Sequence, residues 1–367
     1  MKRYPGLDLL RAIAILWVLL FHGWILNLGN PWPAIGRQGW MGVDLFFVLS
    51  GYLIGSQLLK SYAQGQVPGW VEFYRRRALR ILPVYWVVVA LYFAVPQFRE
   101  AKGIEPAWKF LTFTENFLID YRHNETFSHA WSLCVEEHFY LVMPILVWAL
   151  LRRPSWRITV TLAALIMIGG IAARAWVYLH YCDPVKGWGP GKFVELIYYP
   201  TYMRLDGLLA GVLLASVRWF RPAWWQAAMA RPYWMLTAAV GVLAVAIWAA
   251  KGRGDFAGSV FGFPLLAAGF ALLVAASVSE RGFLGKFHVP GAELIAKVTF
   301  SLYLSHKMTW HVLRTYAPGW VDGRGVQAFI LYTLGAFAVG GALYLLVERP
   351  FLRLRDRWET KANPVGL

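Results

Sequence analysis

The chain has 367 residues; 58% are hydrophobic before any of its 34 glycines is counted, and only 15% are charged. Soluble globular chains run to roughly 45–50% apolar with glycine included and about 25% charged, so a length that would suit two soluble domains reads instead as a protein that needs lipid around it. The net charge of +16, from 36 Lys and Arg against 20 Asp and Glu, would point a soluble protein towards nucleic acid, but no soluble basic domain is present to carry that function. Two cysteines, Cys134 and Cys182, cannot build a disulfide scaffold, and without a CxxC or Cys/His cluster neither a metal nor a redox framework is expected.

Crossing a hydrocarbon core of roughly 30 Å takes about 20 mostly apolar residues. Ten such stretches follow one another, near 9–28, 40–59, 81–97, 132–151, 158–179, 198–217, 233–250, 259–278, 294–313 and 327–347. The first follows Lys2 and Arg3, but Asp8 and Arg11 interrupt it and further spans come after it, so it reads as a retained helix and not a signal peptide. With the N-terminus inside, the inner segments carry 20 Lys and Arg and the outer segments 11, the bias expected of cytoplasmic loops. The fold expected is an all-α integral membrane protein of about ten transmembrane helices with both termini cytoplasmic: one polytopic domain over 1–367, its last span ending near 347 and a short cytoplasmic tail at 348–367. Only the outer segment 98–131 is long; its aromatic residues Trp108, Phe110, Phe113 and Phe117 suit an interfacial or re-entrant stretch.

Five cations, Arg11, Arg174, Arg204, Lys297 and Lys307, fall within or at the edges of spans, together with Asp44, Glu136, Glu137, Asp206, His22, His138 and His306. Each such group costs roughly 2.5–3.5 kcal/mol at the bilayer centre, so ionisable residues there usually face a polar cavity and mark function. One alone is as readily a structural ion pair or a snorkelling side chain. Arg11 and His22 are the most informative pair: eleven positions at 100° each return to within about 20° of the same direction, about 16.5 Å apart along the axis. One helix face thus carries a permanent cation and a titratable imidazole, a combination suited to proton chemistry along an elongated anionic substrate. Further on, FYRRRALRILPVYW (73–86) sets Arg77 and Arg80 three apart on one face, a seat for phosphate oxygens or equally a topogenic and lipid-binding cluster. The stretch SHAWSLCVEEHFYLVMP (128–144) puts Ser132, Glu136 and Tyr140 on one stripe at spacings of four. Glu137 points about 100° away, and His138 and Cys134 read as packed bystanders.

These segments together resemble membrane acyltransferase family 3, the bacterial integral membrane O-acyltransferases. LDLLRAIAILWVLLFH carries that family's Arg and His as Arg11 and His22, GVDLFFVLSGYLIG its second-span motif, and the arginine segment its RxxR as Arg77 and Arg80. SHAWSLCVEEHFYL carries its Ser, Trp, Glu and Tyr pattern as Ser128, Trp131, Glu136 and Tyr140, with weaker matches at RLDGLLAGVLLA, FSLYLSH and VERPF. Lys307 after His306 departs from the pattern. The resemblance implies acyl transfer, commonly of acetyl, from cytoplasmic acetyl-CoA or another acyl-CoA to a hydroxyl of a carbohydrate or lipid-linked glycan acceptor in the bacterial inner (cytoplasmic) membrane. No permanently bound cofactor, metal or nucleic acid is implied, and a monomer and a homodimer both stay open. His22 and Glu136 are the expected catalytic residues, Arg11, Arg77 and Arg80 the donor-binding ones, and Asp44, Trp131, Ser132, Tyr140 and His306 candidate lining. Only about 20 residues follow Val347, so no fused SGNH-type domain is expected. The competing reading is a polytopic transporter or flippase for an anionic or acylated substrate, its ionisable residues forming a transport path.

Overall fold

The computed structural model describes residues 4–66, 69–117, 119–152, 155–183, 190–249 and 253–362. Every regular element among them is helical. Helix α1 spans Pro5–Ile25, α2 Met41–Ala63, α3 Trp70–Ala94 and α4 Trp131–Arg152. Helix α5, Trp156–Val177, continues through a π turn at Tyr178–Cys182; α6 is Asp206–Phe220, α7 Pro232–Ala249 and α8 Phe263–Val278. Helix α9 spans Ala292–Tyr316; α10, Val326–Leu343, passes through a π turn at Tyr344–Glu348 into α11, Arg349–Ala362.

Eight helical stretches among the described residues are long and apolar enough to cross a membrane. The other two expected spans are helical as well, but each departs from a simple lipid-facing helix for a physical reason. Helix α6 has 15 residues, about 22 Å at 1.5 Å per residue and short of the hydrocarbon core; it begins only at Asp206 because Pro200 and the 3₁₀ turn Thr201–Met203 precede it. That irregular backbone is tolerated because it is covered by protein: Thr201, Met203 and Arg204 are buried. Helix α9 has 25 residues but carries Glu293, Lys297, His306, Lys307, His311 and Arg314; it turns Ser301, Ser305, His306 and Thr309 into the protein interior. The start of the expected tail is helical, α11 continuing α10 over Arg349–Ala362, and buried Glu348 docks it by accepting a hydrogen bond from Ser301 at 2.6 Å.

Two short glycine ladders hold the centre together. Gly51 and Gly55 of α2 and Gly207 and Gly211 of α6 lie in the contact between the two helices, and a Cβ added at Gly51 would lie 2.1 Å from the Leu208 carbonyl oxygen, one at Gly211 2.3 Å from that of Val48. Such small-xxx-small pairs let backbones approach where apolar burial gives helices no preference over lipid.

Most of the intramembrane charges are consumed in this packing. Arg174 makes a two-pronged bond to Asp206 at 2.7 and 3.0 Å and a third to the Met203 carbonyl at 2.7 Å. Arg204 bonds Asp44 at 2.8 Å and the Tyr198 carbonyl at 3.0 Å, its guanidinium resting on the Phe263, Tyr198 and Trp131 rings. Both arginines are at most 1% exposed, and removing one partner of such a pair would strand a buried charge. Lys297 pairs with Glu293 and Lys307 with Glu100.

The outer segment folds back over α3. Phe113 stacks on Tyr85 and Phe127 on Tyr92, with ring centroids 4.6 Å apart in each case, and Tyr85 donates to the Phe110 carbonyl at 3.0 Å. Trp108 alone of the four expected aromatics stays well exposed, at 59%. Glu100 accepts from the Phe127 amide at 3.0 Å while holding Lys307 at 3.1 Å. Phe127 adopts a left-handed conformation, φ 58°, unusual for a bulky residue; this turn delivers Ser128–Ala130 to the start of α4.

Candidate active site

Two polar cavities lie among α1, α2, α3, α4 and α9, and they share two wall residues, Val43 and Tyr303. The larger, about 280 Å³, is lined by Arg11 of α1, Ser50 and Gln57 of α2, Arg77 and Arg80 of α3, Ser132, Glu136 and Tyr140 of α4, and Lys297 of α9. The smaller, about 110 Å³, is lined by His22, Trp40, Tyr121, Glu125, His129, Trp131, Tyr198, Tyr199, Arg253 and Lys307 among others. Arg11 and His22 therefore share a face of α1, as their spacing requires, but open into different chambers.

The arginine cavity gathers positive charge that the surrounding carboxylates only partly offset. Among the described residues Arg77 has only Gln57 as a hydrogen-bond partner, at 3.3 Å, and its Nε is buried without one. Among the described residues neither Arg77 nor Arg80 has a carboxylate within ion-pair distance, whereas their neighbours Arg75 and Arg76 are both bonded to Glu72. Arg11 stands 4.0 Å from Asp8. Glu136 faces this chamber, accepting from Tyr140 at 2.9 Å, and Tyr140 is also hydrogen-bonded to Ser50. Sequence spacing thus correctly assembles Ser132, Glu136 and Tyr140 on one stripe. Glu137 does not line either chamber.

The histidine cavity holds an ordered imidazole pair. His306 Nδ1 lies 2.7 Å from the Tyr303 carbonyl oxygen, which can only accept, so Nδ1 carries a proton, and in a neutral His306 Nε2 is a bare lone pair. That Nε2 lies 2.9 Å from His22 Nδ1, which must then be the protonated nitrogen of His22. The consequence is a neutral His22 whose Nε2 lone pair is free, the tautomer a general base needs. His22 is oriented by another histidine and not by Glu136, which sits in the other chamber. A third imidazole, His129, lies with its centroid 5.0 Å from His306 and 6.3 Å from His22. It reaches the Leu304 carbonyl through Nε2 at 3.3 Å, leaving buried Nδ1 without a partner. His129 was not singled out from the sequence, where it is a loop histidine before a span.

Between the chambers, the Tyr303 hydroxyl donates to the His129 carbonyl at 2.8 Å and meets the Ser132 hydroxyl at 2.7 Å. Trp131 stacks on Tyr199 at 5.1 Å and 11° on the histidine side. Asp44 lines neither chamber; its carboxylate is committed to Arg204. His138 is bonded to Thr201 at 2.7 Å and stacked on Phe117, and Cys134 is buried against Glu115; neither lines the two chambers. Among the described residues no group of three His, Cys, Asp or Glu side chains is arranged to hold a metal ion.

A polytopic helical protein with an arginine-lined chamber beside a histidine-lined one has the outline of a membrane group-transfer enzyme. A model of the acyltransferase 3 family, described as an acyltransferase domain, matches residues 4–346, and the chain belongs to that family; it is an integral membrane protein of the bacterial cell membrane type. It is 30% identical over 230 residues to the peptidoglycan O-acetyltransferase OatA of Listeria monocytogenes, covering 59% of this chain and 34% of that protein. Against the O-acetyltransferase OatA of Staphylococcus aureus it is 30% identical over 226 residues, 58% of this chain and 34% of the relative. The match thus spans about a third of the length of these relatives. No solved structure matches the chain.

Proposed function

We propose that this protein is a membrane O-acetyltransferase that takes an acetyl group from acetyl-CoA, bound at the arginine chamber, to a glycan hydroxyl presented in the histidine chamber. The observation that carries this reading is the His22–His306 pair, which leaves a neutral imidazole lone pair facing the smaller chamber. The basic end of the molecule faces the cytoplasm, consistent with the charge bias of its loops, so CoA phosphates meet Arg77 and Arg80 and the pantetheine arm runs along Arg11 towards the Val43 and Tyr303 wall.

In the proposed reaction His22 Nε2 takes the proton of the acceptor hydroxyl as its oxygen attacks the thioester carbonyl. The C–O bond forms, the C–S bond breaks, and the CoA thiolate recovers the proton from the imidazolium. The Ser132 and Tyr303 hydroxyls stand at the dividing wall, where Tyr303 donates to the His129 carbonyl and Ser132 in turn to Tyr303; turning the Ser132 hydroxyl away from Tyr303 would give the carbonyl oxygen a donor as charge develops on it. Glu136 acts from the donor side, steadying Tyr140 and balancing the arginines. General-base help of this kind is worth about 10² to 10⁴-fold.

The test is purified protein in lipid vesicles with radiolabelled acetyl-CoA and envelope glycan. Wild-type protein transfers label to the glycan, and His22→Ala lowers turnover by at least about 10²-fold while still binding donor. Absence of both donor binding and turnover in the wild type would falsify the enzyme reading; full activity in the variant removes His22 from its role.

A further inference from the structure

We propose that Arg253 makes the histidine chamber selective for an acidic acceptor, a saccharide carrying a carboxylate or phosphate within about one ring of the hydroxyl to be acylated. The inference rests on the acyltransferase reading and adds the acceptor's chemical class to it. Its basis is a contrast among arginines. Arg174 and Arg204, deep in the same region, are each neutralised by an aspartate. Arg253 lines the chamber half-buried, and among the described residues no carboxylate lies within ion-pair distance of it. The other cation of the chamber, Lys307, is already taken by Glu100 at 3.1 Å. Glu125 also lines the chamber but is exposed, free to accept from sugar hydroxyls.

The guanidinium is also positioned in advance. Its carbon lies 5.0 Å from the centre of the Phe21 ring and 4.8 Å from that of Tyr198, and Ser259 donates to its main-chain carbonyl at 3.2 Å. Two aromatic faces hold the flat of the group and leave its edge, with the N–H donors, for a planar anion. The Phe21 ring is also 5.5 Å from that of His22, so the guanidinium and the base are at most about 10.5 Å apart across one shared neighbour. Trp131 stacked on Tyr199, with Trp40 and Tyr198 beside them, supply apolar faces for the sugar ring between those two points. An arginine fork on a carboxylate or phosphate forms paired charge-assisted bonds that a neutral sugar cannot replace.

The experiment uses the full-length protein in vesicles, labelled acetyl-CoA, and three forms of one probe: envelope glycan from a host strain lacking this gene, untreated, with its carboxyls chemically reduced, and with its phosphates removed. Wild-type protein should lose roughly ten- to a hundredfold in kcat/KM on whichever treatment removes the recognised anion, a loss on the scale of a charge-assisted hydrogen bond. Which treatment causes the loss tells carboxylate from phosphate. Arg253→Gln should show the same loss on untreated glycan and no further loss on the form lacking that anion, and Arg253→Lys should recover part of it. The proposal is overturned if wild-type protein uses all three glycans equally, or if Arg253→Gln and Arg253→Lys both match wild type on untreated glycan. A wild-type protein that consumes no acetyl-CoA with any glycan would instead overturn the acyltransferase reading on which this one stands.

Discussion

At the scale of single residues, proton placement at His22 follows from a carbonyl two hydrogen bonds away: the Tyr303 carbonyl fixes His306, and His306 fixes His22. A neutral imidazole in this position differs from a carboxylate, because it orients the base without adding a negative charge beside it. His306→Leu removes the acceptor and frees the His22 ring to take either tautomer, so kcat should fall by about tenfold or more, and the pH profile of kcat/KM should move. His306→Gln keeps an acceptor oxygen near the position of Nε2 and should restore part of the rate. A merely structural role would lower kcat in both variants alike and leave the pH profile where it was. The sequence shows His22 through its spacing from Arg11, and His306 only through a short motif. His129 could not be read from it at all: its place depends on Phe127 turning left-handed under Tyr92 and on Glu100 reaching both the Phe127 amide and Lys307. Lys307, which broke the expected pattern, is explained by that same contact.

At the scale of elements, hydropathy locates the helices because lipid enforces a closed backbone, and it fails where protein replaces lipid. The expected span 198–217 is shortened to α6 because the residues before it form the cradle of Arg204, and α9 is too polar for lipid because it supplies the wall of both chambers. The charged residues in the spans were legible as a set, but their partners were not. Asp44 finds Arg204 across 160 positions and Arg174 finds Asp206 across 32, separations that no local spacing encodes. The α2–α6 contact was encoded locally, in Gly51, Gly55, Gly207 and Gly211, at four-residue intervals. Its test is Gly51→Ala: the new methyl would meet the Leu208 carbonyl at 2.1 Å, forcing the helices apart, and overpacking of this kind costs typically about 1–3 kcal/mol. The thermal midpoint of the protein in detergent should drop, whereas Gly241→Ala, with nothing within 4 Å of the added carbon, should leave it in place. Equal midpoints for the two variants would mean that α2 and α6 are not held by close backbone approach.

At the scale of the whole molecule, the division into two chambers separates two recognition problems that the sequence had merged on one helix face. Arg11 and His22 lie on one stripe, which suggested a single elongated site; Arg11 lines one cavity and His22 the other, with Val43 and Tyr303 common to both, so in the proposed reaction donor and acceptor would enter from opposite ends. That separation makes the donor end testable by the chemistry of the donor alone. Arg77→Gln and Arg80→Gln should each raise the KM for acetyl-CoA by roughly ten- to a hundredfold, the scale of a charge-assisted hydrogen bond, and the effect should shrink with rising salt as exposed phosphate contacts are screened. With acetyl-pantetheine, which keeps the thioester and lacks the nucleotide phosphates, wild-type protein should lose affinity and the two variants should differ little from it. If the arginines instead serve only to orient the helix in the membrane, the variants will be depressed to the same degree with both donors, since fewer correctly inserted molecules cannot distinguish one thioester from another.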